Sequence, residues 1–298
     1  MAYHIPALLK ESIDGLNIKP DGIYVDVTFG GGGHSMEILK RLENGRLFAF
    51  DQDEDAAKNI IDDSRFLLLS QNFRFLRNNL IFNGVNTIDG LIADLGVSFH
   101  QFDEPGRGFT FREDAPLDMR MNRNAAVTAA DILNKSDEEE LANIFYRYGE
   151  LTNSRRIARM VVDARNRTPL KSVSDIMGAV GKLVPFRQEH KFYARLFQSL
   201  RIAVNHEIDY LQEMLEQARD MLNTGGRLAV ISYHSLEDRL VKNFMKTGSF
   251  EGIESKDFYG NIESPFRLIT KKSITPSPEE INDNSRARSA RLRIAEKI

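Results

Sequence analysis

The sequence contains no cysteine among its 298 residues, so disulfides, thiolate metal sites and cysteine nucleophiles are all excluded. Its six histidines are scattered, and no pair has the His-Glu-x-x-His spacing of a zinc site, so we expect no bound metal. No apolar run approaches the roughly 20 residues that span a bilayer. The first residues also lack the basic segment and the apolar run of a secretory signal. These absences predict a cytoplasmic protein without a membrane partner.

The charge of the chain is unevenly distributed. Hydrophobic residues make up 42% of the chain and charged residues 28%, which is typical of a globular protein. The net charge is −3, but residues 105–206 hold 17 Lys/Arg and 12 Asp/Glu, a net charge of +5. The remainder holds 23 basic and 31 acidic residues, a net charge of −8. A basic block in an acidic protein indicates a surface for a polyanion, although a solvated helical face has the same composition.

Four consecutive glycines, Gly30 to Gly33, lie between an apolar run and an amphipathic run. Glycine lets the backbone approach a ligand because it has no Cβ. A second apolar run ends at Asp51, which is 21 residues after Gly30. An acidic residue at about this distance binds ribose hydroxyls in nucleotide-binding βαβ units, so the pattern predicts a nucleoside-containing cofactor. A nicotinamide-dependent oxidoreductase is an alternative, although Ser35 occupies the last glycine of its usual Gly-x-Gly-x-x-Gly pattern.

Strand-like and helix-like segments alternate over the first hundred residues, which predicts a parallel sheet with helices on both faces. The expected strands are 23–25, 46–50, 66–69 and 88–93, followed later by 227–232, 266–270 and 291–295. A long loop at 101–124 and continuous helical periodicity to residue 222 interrupt this alternation. We therefore predict an α/β domain formed by residues 1–104 and 207–298, with an inserted helical domain at 105–206.

Ligands in such sheets bind at the carboxyl ends of the strands. The segments expected to converge there are Gly30–His34, Asp51, Asn72-Phe73, Asp94 and Tyr233-His234-Ser235. Two local features complete the prediction: a helix at 54–61, and a helix stop at Thr224-Gly225-Gly226 before the fifth strand.

Several segments resemble, in this order, the bacterial methyltransferases that modify N4 of a decoding-centre cytidine in 16S ribosomal RNA. They are His4–Glu11, the glycine loop, Asp94–Ser98, Arg107–Phe111, Pro116–Met121, Tyr146–Glu150, Phe197–Ile202, Ser232–Arg239 and Arg286–Ala295. The resemblance covers nearly the whole chain. It implies a class I, Rossmann-like methyltransferase fold with a doubly wound, mainly parallel sheet, and S-adenosylmethionine (SAM) as methyl donor. It also implies 16S rRNA in the small ribosomal subunit as partner, and leaves open whether the protein is a monomer or a homodimer.

The resemblance assigns the cofactor contacts to the loops at this sheet edge. They map to Gly32, Gly33, His34, Asp51, Phe73, Asp94 and Gln101. The pair Phe99-His100 replaces the Ser-Pro that is usual in the family, and this departure affects the assignment of Gln101 more than that of Asp94. A helix cap is the alternative role for His34.

The implied target is a poor nucleophile, because the lone pair of the cytosine amine is delocalised into the ring. It needs an acceptor for its hydrogens and alignment with the methyl group. The Asp/Asn-Pro-Pro-aromatic motif of other amino-methyltransferases is absent after strand four. The catalytic candidates are Asp94, His234 and Ser235, without an assigned general base, and the last two could instead stabilise their own loop. The lack of cysteine excludes methylation of cytosine C5 through a cysteine adduct.

The basic insert is the expected RNA-binding surface. The candidates are Phe99, as a base-stacking ring, and Arg107, Arg120, Arg155, Arg156, Arg159, Arg165 and Arg167. Phe99 could be packed instead, and Arg120 could form an ion pair with Asp118 inside the long loop. A non-catalytic RNA-binding or assembly factor that keeps a cofactor pocket is the remaining alternative function.

Overall fold

The computed structural model describes residues 6–98, 101–102, 104–256, 258–260 and 262–298. The chain divides into two compact units. One unit comprises the chain up to Gly96 together with Asp209–Ile298, and the other, the helical unit, comprises Val97–Ile208. Within the described ranges, no helix combines the length and the apolar character that crossing a membrane requires.

The first unit is built around a mainly parallel sheet. The strands are β1 (Ile23–Asp26), β2 (Arg46–Phe50), β3 (Phe66–Leu69), β4 (Ile88–Asp94), β5 (Leu222–Ser232), β6 (Ser255–Lys256), β7 (Ile262–Glu263), β8 (Phe266–Leu268) and β9 (Arg291–Lys297). Seven of them form one sheet in the order β3-β2-β1-β4-β5-β9-β8, and β6 and β7 form a separate hairpin. Strands β1 to β5 pair in parallel, whereas β9 is antiparallel to β5 and β8.

Helices cover both faces of this sheet. In the two units together, the α-helices whose bounds lie wholly within the described residues are α1 (Leu9–Leu16), α2 (Gly33–Leu39), α3 (Leu76–Phe82), α4 (Ala129–Lys135), α5 (Glu138–Arg147), α6 (Ser154–Arg165), α7 (Val173–Val180), α8 (Glu189–Asn205), α9 (Glu207–Met221), α10 (Ser235–Thr247) and α11 (Pro278–Asp283), of which α4 to α8 belong to the helical unit. Alternate strand residues point to opposite faces. Val25 and Phe48 belong to one apolar cluster with α3, α9 and α10, whereas Tyr24 and Leu47 belong to another with α1 and α2. Burial on both faces confirms the predicted doubly wound α/β fold.

The helical unit has a hydrophobic core of its own. Phe145 of α5, Ile157 of α6 and Leu196 of α8 are fully buried in it. Capping boxes begin α4 at Thr128 and α7 at Ser172, where the cap hydroxyl accepts a backbone N–H and a carboxylate three residues later accepts the N–H of the cap residue. These caps stabilise the starts of two short helices whose sequences alone are marginal.

Two local predictions were wrong. The segment expected as an α-helix at 54–61 is a 3-10 helix, Glu54–Asn59. The segment Thr224-Gly225-Gly226, expected to end a helix, lies inside β5, which begins at Leu222. The pairing of β5 with β4 passes over these residues, and Gly225 has a φ of 79°. Glycine allows a bulge of this kind inside a strand because it adopts positive φ without steric cost.

Candidate functional site

The carboxyl ends of the parallel strands meet at one edge of the sheet. Asp26 ends β1, Asp51 follows β2, Asp94 ends β4 and Tyr233 follows β5. The order β2-β1-β4-β5 places these four residues on neighbouring strands. The structure thus brings together the loops after these strands, and we take this edge as the candidate active site.

The glycine loop after β1 requires glycine for different reasons at different positions. Gly30 and Gly32 have φ angles of 50° and 77°, a region that favours glycine. A Cβ on Gly33 would lie 2.4 Å from the ring of Pro6, whereas a Cβ on Gly31 would meet no described residue within 4 Å. The backbone at Gly31 is therefore open to a ligand, while Pro6 covers Gly33.

The segment from Pro6 to Leu8 covers the glycine loop and is held from the far end of the chain. The backbone N–H of Leu8 donates to Oε1 of Glu280 in α11, at 2.7 Å and across 272 residues. Ala7 and Leu8 are buried, with 2% and 1% exposure. The cover on the loop therefore depends on a residue of α11.

Asp51 fastens the glycine loop to the end of β2. Its Oδ2 accepts the Gly30 N–H at 2.8 Å, and its Oδ1 accepts the Asp53 N–H at 2.9 Å. Burial raises the pKa of Asp51 to about 6, although these two backbone hydrogen bonds oppose the increase. Each carboxylate oxygen retains a second lone pair. Asp51 can therefore accept hydrogen bonds from the two hydroxyls of a ribose.

Asp26, which the sequence did not single out, holds the glycine loop by hydrogen bonds at both of its ends. Its Oδ1 accepts the Thr28 N–H at 3.1 Å, and its Oδ2 accepts the Ser35 hydroxyl at 2.7 Å. The Thr28 hydroxyl oxygen in turn accepts the Asp94 N–H at 2.6 Å. Burial raises the pKa of Asp26 to about 6. The glycine loop is thus tied at both ends and also to β4.

Asp94 has two differently occupied carboxylate oxygens. Oδ1 accepts the Tyr233 hydroxyl at 2.8 Å, and Oδ2 lies 4.0 Å from Nδ1 of His34. Burial raises the pKa of Asp94 to about 7, the Tyr233 hydrogen bond opposes this increase, and the carboxylates of Asp26 and Glu237 add to it. Asp94 can therefore gain or lose a proton near neutral pH.

His34 is buried beside Asp94, and its Nε2 has no hydrogen-bond partner among the described residues. Burial lowers the pKa of His34 to about 4, although a hydrogen bond with the Ala7 backbone opposes the shift. The imidazole is therefore neutral at physiological pH. The N-cap of α2 is Gly32, so His34 is not the helix cap that was considered as its alternative role. A buried polar atom without a partner is suited to a ligand contact.

The loop after β5 is stabilised by its own side chains. His234 is the N-cap of α10, and its Nδ1 accepts the Glu237 N–H at 3.4 Å. Glu237 is buried, and its Oε2 accepts the Tyr233 N–H at 3.0 Å. The loop-stabilising role weighed for His234 is thus observed, while Ser235 is exposed at the first position of α10. Catalytic roles for His234 and Ser235 stay predictions.

Phe73 and Gln101, the remaining predicted cofactor contacts, lie in different units. Phe73 begins a 3-10 turn after β3 and packs, half-buried, against the sheet core. Gln101 is buried in the helical unit, where its Oε1 accepts the Ser98 N–H at 3.0 Å and its own N–H donates to the Ser98 hydroxyl at 3.2 Å. Contacts of either residue with a cofactor stay predictions. Phe99, the predicted stacking ring, lies outside the described residues.

Four of the predicted RNA-binding arginines are exposed on the helical unit: Arg155, Arg156, Arg159 and Arg167. Three of them lie on α6, whose opposite side buries Ile157 and Val161 in the core. The basic side chains therefore share the solvent face of an amphipathic helix, and their contact with RNA stays a prediction.

Three other predicted arginines are engaged within the helical unit. Arg107 is 4% exposed, and its guanidinium donates to the carbonyls of Arg120 and Met121, both at 2.9 Å. Arg120 forms the alternative ion pair with Asp118, at 2.7 Å. Arg165 donates to the carbonyls of Leu133 and Ser136 at 2.7 and 2.6 Å. These three guanidinium groups join segments of the helical unit, so we do not include them in the proposed RNA surface.

The whole chain, residues 1–298, matches the MraW methylase family. The chain belongs to this family. One relative is the ribosomal RNA small subunit methyltransferase H of Bacteroides thetaiotaomicron, 55% identical over 298 residues, which cover 100% of this chain and 98% of the relative. The protein of the same name from Flavobacterium psychrophilum is 56% identical over 291 residues, covering 97% and 100%. A solved rRNA methylase from Streptococcus thermophilus is distantly similar, with a TM-score of 0.45 and 14% identity over 99% of both chains.

The protein has the fold of a SAM-dependent methyltransferase. The residues at the sheet edge fit this cofactor. Among the described residues, none occupies the space beside the Gly31 backbone or bonds to the buried Nε2 of His34, and Asp51 has lone pairs for a ribose. The carboxylate of Asp94 at this edge would suit the positive charge of SAM. A positive charge there favours the ionised form of a carboxylate whose pKa burial has raised.

We expect the unliganded protein to be less stable near pH 7.5 than near pH 5.5, by about 2 kcal/mol. The pKa values of Asp26, Asp51 and Asp94 are raised to about 6, 6 and 7. Between the ordinary carboxyl pKa and these values, the folded state binds more protons than the unfolded state, so stability falls as pH rises. His34, with its pKa lowered to about 4, acts in the opposite direction but is a single group. Urea unfolding at both pH values measures the difference, and a lower midpoint near pH 5.5 would contradict it.

Proposed function

We propose that this protein is a ribosomal RNA small subunit methyltransferase that transfers a methyl group from SAM to N4 of the decoding-centre cytidine in 16S rRNA. The observation that carries the proposal is Asp94, which lies between Tyr233 and His34 at the sheet edge that also holds the glycine loop and Asp51. The relatives named ribosomal RNA small subunit methyltransferase H support the substrate class. A ribosomal substrate implies action in the cytoplasm.

The reaction needs a proton acceptor as well as alignment. The amine nitrogen forms a bond to the methyl carbon while the carbon–sulfur bond breaks and its electron pair stays on sulfur. One N–H proton must then leave the nitrogen to give a neutral product. Asp94 Oδ2 is the proposed acceptor, because Oδ1 already accepts the Tyr233 hydroxyl. The pKa of about 7 suits an acceptor that must later release the proton to water.

The chemistry also favours an amine over ring carbon C5 as the target. Methylation of cytosine C5 proceeds through attack by a cysteine thiolate, and the chain contains no cysteine. An amine needs no covalent adduct, only an acceptor and orientation. Orientation alone can contribute about 7–11 kcal/mol to a two-substrate step.

The exposed arginines of α6 are the proposed contact with RNA phosphates. Charge reversal of Arg155 and Arg156 to glutamate is expected to weaken binding of small-subunit RNA by about tenfold or more near 0.1 M salt, because each phosphate contact releases counterions. SAM binding should be unchanged. Filter binding across a salt series measures the effect, and the dependence of log Kd on log salt should become shallower by about two contacts.

A matched control is available on the other unit. Lys40 and Arg41 follow the last residue of α2, away from the carboxyl edge of the sheet, and pair at the surface with Glu37 and Asp14. Their reversal to glutamate changes the net charge equally. The fold should be retained, since exposed ion pairs contribute little to stability, and RNA affinity should be nearly unchanged because these residues lie outside the proposed RNA surface. Equal losses of RNA affinity in both double variants would contradict a localised surface. Loss of SAM binding as well would indicate misfolding.

The decisive experiment is methyl transfer from labelled SAM to small subunits purified from cells that lack this protein. Naked 16S rRNA serves as the parallel substrate, and mass spectrometry of nuclease fragments locates the label. Label on N4 of one cytidine supports the proposal, and label at a ring carbon or on another base refutes it. If calorimetry shows SAM binding but no substrate gains label, the non-catalytic assembly factor becomes the better description.

A further inference from the structure

Tyr233 links the loop after β5 to Asp94, yet nothing in the sequence analysis gave it a role. Its hydroxyl donates to Asp94 Oδ1 at 2.8 Å, although 139 residues separate the two in the chain. Burial raises the pKa of the Tyr233 phenol, and the neighbouring Asp94 raises it further. The hydroxyl therefore stays protonated and acts as a constant hydrogen-bond donor.

The direction of this hydroxyl is fixed by the surroundings of Tyr233. Its backbone N–H donates to Oε2 of the buried Glu237 at 3.0 Å. Its ring packs against the apolar cluster of α1 and α2, and it also approaches Gly96 closely enough that a Cβ there would lie 3.7 Å from the ring. A side chain held at its backbone and along its ring loses little further entropy when it orients a partner.

Asp94 is held at a second point as well. Its backbone N–H donates to the Thr28 hydroxyl at 2.6 Å, which fixes the main chain at the end of β4. With the main chain and Oδ1 both fixed, the position of Oδ2 is determined. Oδ2 lies on the side of His34, at 4.0 Å from Nδ1.

We propose that Tyr233 is a positioning residue for methyl transfer, whose hydroxyl holds Asp94 by Oδ1 and thereby presents Oδ2 to the target amine. The inference rests on the proposed function, since it concerns the acceptor in that reaction. It adds a residue outside the cofactor contacts and assigns the orientation of the acceptor to a two-point clamp formed by Tyr233 and Thr28.

The clamp also controls the charge of Asp94. The groups that face Asp94 are Asp26 and Glu237, whose carboxylates disfavour its ionised form, and Tyr233, whose hydroxyl favours that form. The neutral imidazole of His34 adds no charge at physiological pH. Removal of the Tyr233 hydroxyl leaves burial and two like charges unopposed. The pKa of Asp94 should then rise further.

The test is Tyr233→Phe, which keeps the ring and removes only the hydroxyl. In the wild-type protein, kcat/KM for SAM should increase with pH around an apparent midpoint near neutrality, because this ratio reports ionisation of the free enzyme. In the variant, the midpoint should move up by about one pH unit. A shift of this size corresponds to the free energy that a hydrogen bond to a charged group contributes. The rate near pH 6.5 should therefore fall about tenfold or more. The part of this loss that comes from the ionisation of Asp94 should be recovered near pH 9, whereas the part that comes from the orientation of Oδ2 should remain at every pH.

The control is Tyr193→Phe in the helical unit, where a buried tyrosine hydroxyl contacts only the Met177 carbonyl at 3.5 Å among the bonds that the structure gives it. It should leave the pH profile unchanged. A uniform loss of rate at all pH values in Tyr233→Phe, without a shift of the midpoint, would overturn the proposal and leave a purely structural role.

Calorimetry with SAM separates this inference from the proposed function. SAM affinity as a function of pH reports ionisation of Asp94 without any RNA substrate. If the wild-type protein methylates no RNA but the SAM midpoint shifts in Tyr233→Phe, the proposed substrate fails while the control of Asp94 stands. If the midpoints of wild type and variant coincide, the control of Asp94 by Tyr233 fails, whatever the substrate.

Discussion

Replacement of Asp94 by asparagine is expected to lower the rate of methyl transfer by about 100- to 1000-fold while the fold is retained. Asparagine keeps the size of the side chain, and its Oδ1 can still accept the Tyr233 hydroxyl. Its amide nitrogen, however, replaces Oδ2 with a donor, so neither the negative charge nor the acceptor remains. Single-turnover transfer from labelled SAM to small subunits measures the loss.

The same variant should be more stable than the wild-type protein near pH 8. At that pH the buried Asp94, whose pKa is about 7, is ionised at a cost that asparagine does not have. Asp89→Asn is the matched control, because Asp89 lies at the other end of β4 and bonds to Lys19 and the Ile23 N–H. The pKa of Asp89 is lowered, so its replacement should reduce stability near pH 8 and leave the rate unchanged. An Asp94→Asn protein with wild-type rates would refute the acceptor role.

Replacement of Gly33 by alanine is expected to weaken SAM binding by about tenfold or more and to reduce the free energy of unfolding by about 1–3 kcal/mol. The new Cβ would lie 2.4 and 2.7 Å from two carbons of the Pro6 ring, so the segment that covers the glycine loop must move. That segment includes Ala7, whose backbone bonds to His34. Calorimetry with SAM and urea unfolding measure the two effects.

Gly31→Ala is the control for this substitution. Its Cβ would meet no atom within 4 Å in the part of the chain that the structure describes, so the free energy of unfolding of the unliganded protein should change little. If Gly31→Ala keeps its stability but binds SAM weakly, the cofactor itself approaches that position. Equal unfolding midpoints for Gly33→Ala and the wild-type protein would show that Pro6 is not held firmly against the loop.

The sheet and the positions of Asp51 and Asp94 could be predicted because they depend on local patterns. Short apolar runs bounded by glycine or acidic residues predict strands, and parallel strand order brings their carboxyl ends together. The segment after β2 is a 3-10 helix that Asp53 caps by accepting the Asp55 N–H. The spacing of apolar residues does not reveal such a local hydrogen bond. The glycines in β5 were misread for a similar reason, since a bulge and a helix stop use the same residue type.

Long-range hydrogen bonds were beyond the reach of sequence patterns. Tyr233 and Asp94 are 139 residues apart, and no spacing rule connects them. The signal for a role of Tyr233 was its place in the Ser-Tyr-His-Ser motif, whose histidine and serine have the side chains more typical of catalysis. Arg107 and Arg165 illustrate the converse, because counting charge cannot distinguish an exposed guanidinium from one bound to backbone carbonyls.

The hydrogen bond from the Leu8 N–H to Glu280 has a consequence for the order in which the protein is made. Synthesis releases Pro6 to Leu8 first, but the acceptor that holds this segment over the glycine loop emerges only after most of the chain, including β5, has been added. A nascent chain folds as its segments emerge, so an incomplete chain can form the helical unit before this site. Competence to bind the cofactor therefore has to wait until Glu280 has been synthesised, 272 residues after Leu8, and the two segments have met.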